Sequence, residues 1–399
     1  MRYALFGING VYNFGCEAIV RGSKIFLQAI DPKAEITYYS FNYDYDRKAL
    51  SDLDLNIVNI KRDRSIVKRA INKVVYRAGS DKQILLVDYQ EMVQKNDYLI
   101  SIGGDIYTIP AVLREKKKYH YYNELIEVGK KFIGAGKRVI VYGASVGPFG
   151  KYKPAIGYYR QNLDKYKVII CREEESVNYL KKLGMHNYAF LPDPAFLVKG
   201  DTKPYYGERP YIGINFSPLS LREVYGNVGK DSSTLICDIV NAIKKKTGKE
   251  ILLIPHVVSK NEGDDDLSFL TNIARQTNST VADTTKGFLG IKEQLQECCL
   301  VASARMHCCL NALAENIPTI FVSYSQKSIG MCEYVYGDKK WVVDLKNIKD
   351  ELPPKIEMIF KDREPISEEI KKRNLEIYDY YNNHLSDIKS LIYDSRDKL

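Results

Sequence analysis

Short apolar runs rich in β-branched residues alternate with longer amphipathic stretches along most of the chain. That alternation predicts parallel strands joined by crossover helices. In the first half, Arg2–Ile8, Glu35–Ser40, Tyr98–Ile102, Arg138–Tyr142 and Val168–Cys171 are strand candidates. Between the first two, Glu17–Ile30 carries Ala18, Ile19, Gly22, Ile25, Phe26, Ala29 and Ile30 at spacings of three and four, which predicts a helix with one face on a sheet. A second series follows the polar stretch Lys199–Pro210: Tyr211–Phe216, Glu250–Pro255, Leu300–Ser303 and Thr319–Val322. We read Lys199–Pro210 as a linker. The expected fold is α/β, with two Rossmann-like domains facing a cleft: an N-terminal domain over 1–199 and a C-terminal one over 200–399, ending in a helical tail from about residue 367.

The chain has 399 residues, of which 45% are hydrophobic and 27% charged, enough for roughly two to three ordinary domains with real cores. Its net charge of +9 is modest and does not by itself point to nucleic acid. The start reads as a first strand rather than a signal peptide, and no stretch approaches the roughly 18 apolar residues of a membrane span. A cytoplasmic location is expected. The basic runs Lys116–Lys118 and Lys244–Lys246 read first as solvated helix faces, with peripheral contact at the inner membrane surface as the alternative.

The chemistry-bearing segments fall where predicted strands end, the usual ligand side of an open parallel sheet. Asn13 lies in the first glycine-bearing turn, Gly7–Glu17, which leads into a helix N-terminus suited to an anion or sugar hydroxyls. Its glycine spacing is not that of a dinucleotide fingerprint. Gly103, Gly104 and Asp105 follow an apolar strand. The glycines allow close approach, and Asp105 is placed either to orient or deprotonate a hydroxyl or to cap the next segment. Ser145 lies in the Gly-rich run Tyr142–Phe149. Arg172, at another strand end, suits a carboxylate or phosphate, or alternatively an ion pair with a following glutamate.

In the second half, His256 ends the strand Glu250–Pro255, and the acidic loop Asn261–Asp266 follows it. Cys299–His307 is the most informative segment: an apolar strand delivers Ser303, Arg305 and His307 just before an apolar helix. Arg305 offers a fixed cation and His307 a proton near neutral pH. The next strand opens into Tyr324-Ser325-Gln326-Lys327. Cys298, Cys299, Cys308 and Cys309 sit in adjacent pairs, which on a strand point to opposite faces, so they are expected to be buried thiols and not metal ligands. The 31 tyrosines are read mainly as half-buried packing residues.

In order and spacing, the first turn, Gly103-Gly104-Asp105, Gly143–Pro148, Arg172 with Ser176, Ser303-Ala304-Arg305-Met306-His307 and Tyr324–Lys327 resemble the polysaccharide pyruvyl transferases over roughly residues 5 to 330. The resemblance implies a GT-B-like architecture, phosphoenolpyruvate as donor and a sugar of a glycan or lipid-linked oligosaccharide as acceptor; no cofactor is expected. It also implies functional positions at Arg172, His307 and Lys327. This chain has Gly15-Cys16-Glu17 where members of the family often carry Gly-Asp. On the chemistry, Arg172, Arg305 and Lys327 are expected to clamp the donor anion and His307 to act as general acid. Asp105 or His256 would orient or deprotonate the acceptor. The competing readings are a nucleotide-sugar glycosyltransferase and a glycan-binding member of the fold without catalysis.

Overall fold

A computed structural model describes residues 1–77, 82–199, 208–226, 230–324 and 326–394. These fall into two compact units. In the first unit, seven strands form one parallel sheet: β1 (Arg2–Phe6), β2 (Glu35–Ser40), β3 (Asn56–Asn59), β4 (Tyr98–Ile102), β5 (Arg138–Ala144), β6 (Val168–Cys171) and β7 (Tyr188–Phe190). Their order is β3-β2-β1-β4-β5-β6-β7. All five residues of β4 and all four of β6 are buried, because helices cover both faces of a parallel sheet.

The second unit holds β8 (Tyr211–Asn215), β9 (Glu250–Leu253), β10 (Thr280–Val281), β11 (Cys298–Ser303), β12 (Thr319–Ser323) and β13 (Val342–Asp344). Its parallel order, β10-β9-β8-β11-β12-β13, repeats the first six places of the other sheet. Each is a Rossmann-type order, with its topological switch beside the first strand of the unit, between β1 and β4 and between β8 and β11. Ligands of such sheets bind at the carboxyl ends of the strands near that switch.

The two units are not divided by a single break after residue 199. Unit 1 comprises Met1–Val11, Ile19–Pro194 and Tyr380–Leu399; unit 2 comprises Tyr12–Ala18 and Ala195–Asp379. Residues 12–18 join the second unit because Phe14 N–H donates to the His256 carbonyl (3.0 Å) and Val258 N–H to the Tyr12 carbonyl (3.0 Å). The end of the tail helix Arg363–Tyr393 belongs with the first. The Tyr3 and Tyr393 hydroxyls are 2.6 Å apart, and Arg138 Nη1 donates to the Ile392 carbonyl. Most of the expected linker, residues 200–207, lies outside the described residues.

No described helix is long and apolar enough to cross a membrane. The run Lys244–Lys246 ends the helix Lys230–Thr247, where Lys244 pairs with Glu250 and Lys246 with Glu357, as a solvated, ion-paired face would.

Candidate active site

The expected site residues form two constellations, one at the strand ends of each unit. In unit 1, Arg172 follows β6 and is 2% exposed. Its Nη1 donates to Asp193 Oδ2 at 2.9 Å, Nε to Ser145 Oγ at 3.2 Å and Nη2 to Asp105 Oδ1 at 3.3 Å. Burial works against the charge, but Asp193 and then Asp105 outweigh it, so the guanidinium pKa is raised. Gly104 makes room for this fork: a β-carbon there would stand 3.1 Å from Nη2. Ser145 N–H donates to the Gly104 carbonyl at 2.7 Å, which ties the β4 and β5 loops together.

The sequence suits Arg172 to a carboxylate or phosphate, or to an ion pair with a following glutamate; the structure pairs it with two aspartates. Its fork already holds two carboxylates and a hydroxyl, and Asp193 is wholly buried while the Asp105 side chain is 54% exposed. Arg172 therefore fixes the β4, β5 and β7 loops and presents Asp105 at the surface. Asp193 was missed in the sequence. Its only signal was the Pro-Asp-Pro run, Pro192–Pro194, directly after the three-residue strand β7.

In unit 2 the hub is Asp266, fully buried at the start of the helix Asp266–Thr277. Its Oδ2 accepts from the His256 and Val257 N–H groups (both 3.1 Å) and from Asn215 Nδ2 (3.2 Å). Its Oδ1 accepts from Arg305 Nη2 at 2.8 Å, and Asp264 Oδ1 takes the same Nη2 at 2.6 Å. Register explains why Asn215 and Ser303 meet. They are paired residues at the ends of β8 and β11, and Ser303 Oγ donates to Asn215 Oδ1 at 2.9 Å. Both side chains then accept from Arg305 N–H, at 3.0 and 3.1 Å. Burial raises the Asp266 carboxyl above the ordinary carboxylate value, and Arg305, followed by backbone and Asn215 donors, limits the rise. Burial likewise opposes the Arg305 charge, yet Asp266 and Asp264 raise its pKa. Arg305, expected to clamp the donor anion, is ion-paired here with Asp264 and Asp266. The acidic loop Asn261–Asp266, legible in the sequence, is its partner.

His256 is 1% exposed, and its Nε2 has no hydrogen-bond partner. The ring is edge-on to Phe14 and Phe288. Burial, then the nearby His307 and Arg305, push its pKa well below that of a free imidazole, so at neutral pH it is uncharged. His256, which the sequence offers to orient or deprotonate the acceptor, is thus a neutral, buried ring behind His307.

His307 is the second residue of the helix Met306–Ala314 and is partly exposed. Gly15 packs directly against its imidazole. Asn13 Oδ1 accepts from Gly15 N–H at 3.0 Å, which fixes the turn at the start of the helix Phe14–Ile30. Glu17, fully buried, accepts from Phe288 N–H at 3.0 Å, so the acid in this turn anchors the helix Gly287–Leu295. Lys327 is partly exposed on the first turn of the helix Gln326–Tyr336, and Ser325 lies outside the described residues.

All eight cysteines are free, and Cys298, Cys299, Cys308 and Cys309 are buried. Burial pushes the Cys308 thiol up to about 12. Among the described residues no group of three His, Cys, Asp or Glu side chains is arranged to hold a metal ion.

Two Rossmann-type units, each with a charged constellation at its strand ends, define a GT-B-like protein. The likeness to solved structures agrees. The chain is similar to a putative UDP-N-acetylglucosamine 2-epimerase from Listeria monocytogenes (TM-score 0.59, 12% identity, 99% of this chain and 96% of that one). It is also similar to a glycosyltransferase from Rickettsia africae (TM-score 0.55, 10% identity, 99% and 98%). A third likeness is to UDP-GlcNAc 2-epimerase from Neisseria meningitidis (TM-score 0.56, 9% identity, 93% and 94%). At such identities they speak to fold alone. A search of curated protein sequences gives no significant match. The family model for polysaccharide pyruvyl transferase matches residues 13–326, and the chain belongs to that family.

Proposed function

We propose that the protein transfers a pyruvyl group from phosphoenolpyruvate to a sugar of a glycan or lipid-linked saccharide and closes it as a cyclic ketal. The observation that carries this reading is His307. It is the partly exposed imidazole of the unit 2 constellation, held by Gly15 on one side and by the helix start that Arg305, Ser303 and Asn215 fix on the other. Unit 2 is the donor side and unit 1 the acceptor side.

In the proposed reaction His307, as imidazolium, gives a proton to the methylene carbon of phosphoenolpyruvate, leaving an oxocarbenium-like centre at the next carbon. A sugar hydroxyl adds there, passing its proton to a base or to water. The C–O bond to phosphate then breaks, with Lys327 stabilising the departing charge. A second hydroxyl adds to the same carbon and loses its proton. The products are a 1-carboxyethylidene ketal and inorganic phosphate. Asp105, presented by Arg172, orients or deprotonates the acceptor hydroxyl. Arg305 acts by fixing the helix start that carries His307, and neutral His256 avoids placing a second positive charge behind it.

The test is phosphate release from phosphoenolpyruvate across a panel of free and lipid-linked saccharides, with mass spectrometry for the added 1-carboxyethylidene group. Acceptor-dependent release that disappears in His307→Gln supports the assignment. Turnover of His307→Gln at the wild-type rate overturns His307 as the acid.

A further inference from the structure

The helix Ile66–Arg77 in unit 1 buries none of its residues. Ile66 is 83% exposed, Val67 68%, Val74 67% and Ile71 42%, an unusual concentration of apolar surface on one short element. At about 100° per residue, Ile66, Ala70, Val74, Val67 and Ile71 share an arc of about 140°. Asn72 lies opposite. Its side chain exchanges two hydrogen bonds with the backbone of Ile84 (2.7 and 2.8 Å), so the helix is held from the side away from its apolar stripe. The stripe therefore faces outward.

Its charge is equally one-sided. Residues 61–77 contain Lys61, Arg62, Arg64, Lys68, Arg69, Lys73 and Arg77 against Asp63, a net of +6 in a chain whose total is +9. On the same projection Arg69 and Lys73 border the stripe beside Ile66, and Arg77, the last residue of the helix, falls within it between Ile66 and Ala70. Tyr76 adds a half-exposed ring that packs on His120 (centroids 4.2 Å apart), bringing the end of the helix next to the segment that carries Lys116–Lys118.

From these features we infer that Ile66–Arg77 is an interfacial helix that docks the protein on an anionic lipid surface, with the apolar stripe in the acyl boundary and the flanking cations on the headgroups. A second copy of this chain is the poorer occupant, since pairing two such faces would bring two net charges of +6 together. The inference deepens the function proposed above and rests on it only in favouring a lipid-linked over a free acceptor.

The test is flotation of the full-length protein with vesicles of phosphatidylcholine alone or doped with phosphatidylglycerol, at low and high salt. Wild type is expected to float with the anionic vesicles only, and to be released by salt. Val67→Glu combined with Val74→Glu, at two exposed positions, should weaken partition at least about tenfold while leaving the melting temperature and turnover of a soluble saccharide unchanged. Wild type that stays soluble with anionic vesicles overturns the inference, as does a double variant that floats like wild type. A dimer seen by light scattering that the double variant dissociates, without lipid binding, overturns it too. Turnover of a soluble saccharide tests the function separately, so either idea can fail alone.

Discussion

A β-carbon placed on Gly15 would stand 2.7 Å from both Cγ and Nδ1 of His307, well inside van der Waals contact. Gly15 lies in the first turn of the helix Phe14–Ile30, where alanine would ordinarily be favoured by up to about 1 kcal/mol. Gly15→Ala is thus expected to leave folding intact while displacing the imidazole. A shift on the scale of 1 Å in a catalytic group costs on the order of 100-fold in rate. Steady-state kinetics with phosphoenolpyruvate, alongside a melting curve, separates the two effects.

Replacing the imidazole itself should cost more. His307→Gln keeps a polar side chain at a partly exposed position, so stability should change little. Turnover should fall by about 100- to 10,000-fold if the residue gives the proton, with kcat affected more than KM.

The two arginines should behave as structural keystones. Arg172→Met removes the guanidinium that pairs with buried Asp193, and Arg305→Met removes the one that pairs with buried Asp266. Each is expected to destabilise by about 3–5 kcal/mol in urea unfolding. Asp105→Asn, at the exposed end of the same network, should cost under about 1 kcal/mol while lowering turnover.

Acid sensitivity should carry the signature of His256. Its folded pKa lies well below the ordinary value of about 6.5, so the unfolded chain binds a proton that the folded protein does not. The resulting stability is fully present above about pH 6.5 and is lost as pH falls below it, at up to about 1.4 kcal/mol per pH unit. His256→Leu should flatten that part of the stability–pH profile. An unchanged slope would show that His256 takes up its proton alike in the folded and the unfolded chain.

Much of this molecule was legible from periodicity. The nine interior strand candidates all correspond to strands of the two sheets, because strands buried on both faces read as continuous apolar runs. The four missed strands, β3, β7, β10 and β13, are two to four residues long at sheet edges, too short for any period to show. Site residue types were visible because glycine, arginine and histidine stand out after an apolar run. Their partners were not: Asp193 and Asp266 meet Arg172 and Arg305 only through the spatial adjacency of strand ends, 21 and 39 residues apart in sequence. The crossing of Tyr12–Ala18 and Tyr380–Leu399 between units was likewise invisible, since it rests on long-range hydrogen bonds with no local pattern.

Donor binding tests the functional account most directly and needs no knowledge of the acceptor. A ligand held by the folded protein at 100 times its Kd adds about 2.7 kcal/mol of stability. Phosphoenolpyruvate should therefore raise the melting temperature of wild type and do so much less for Lys327→Ala, whereas UDP and UDP-sugars should not raise it. Stabilisation by the uridine nucleotides with none by phosphoenolpyruvate would contradict the account and make the protein a nucleotide-sugar enzyme.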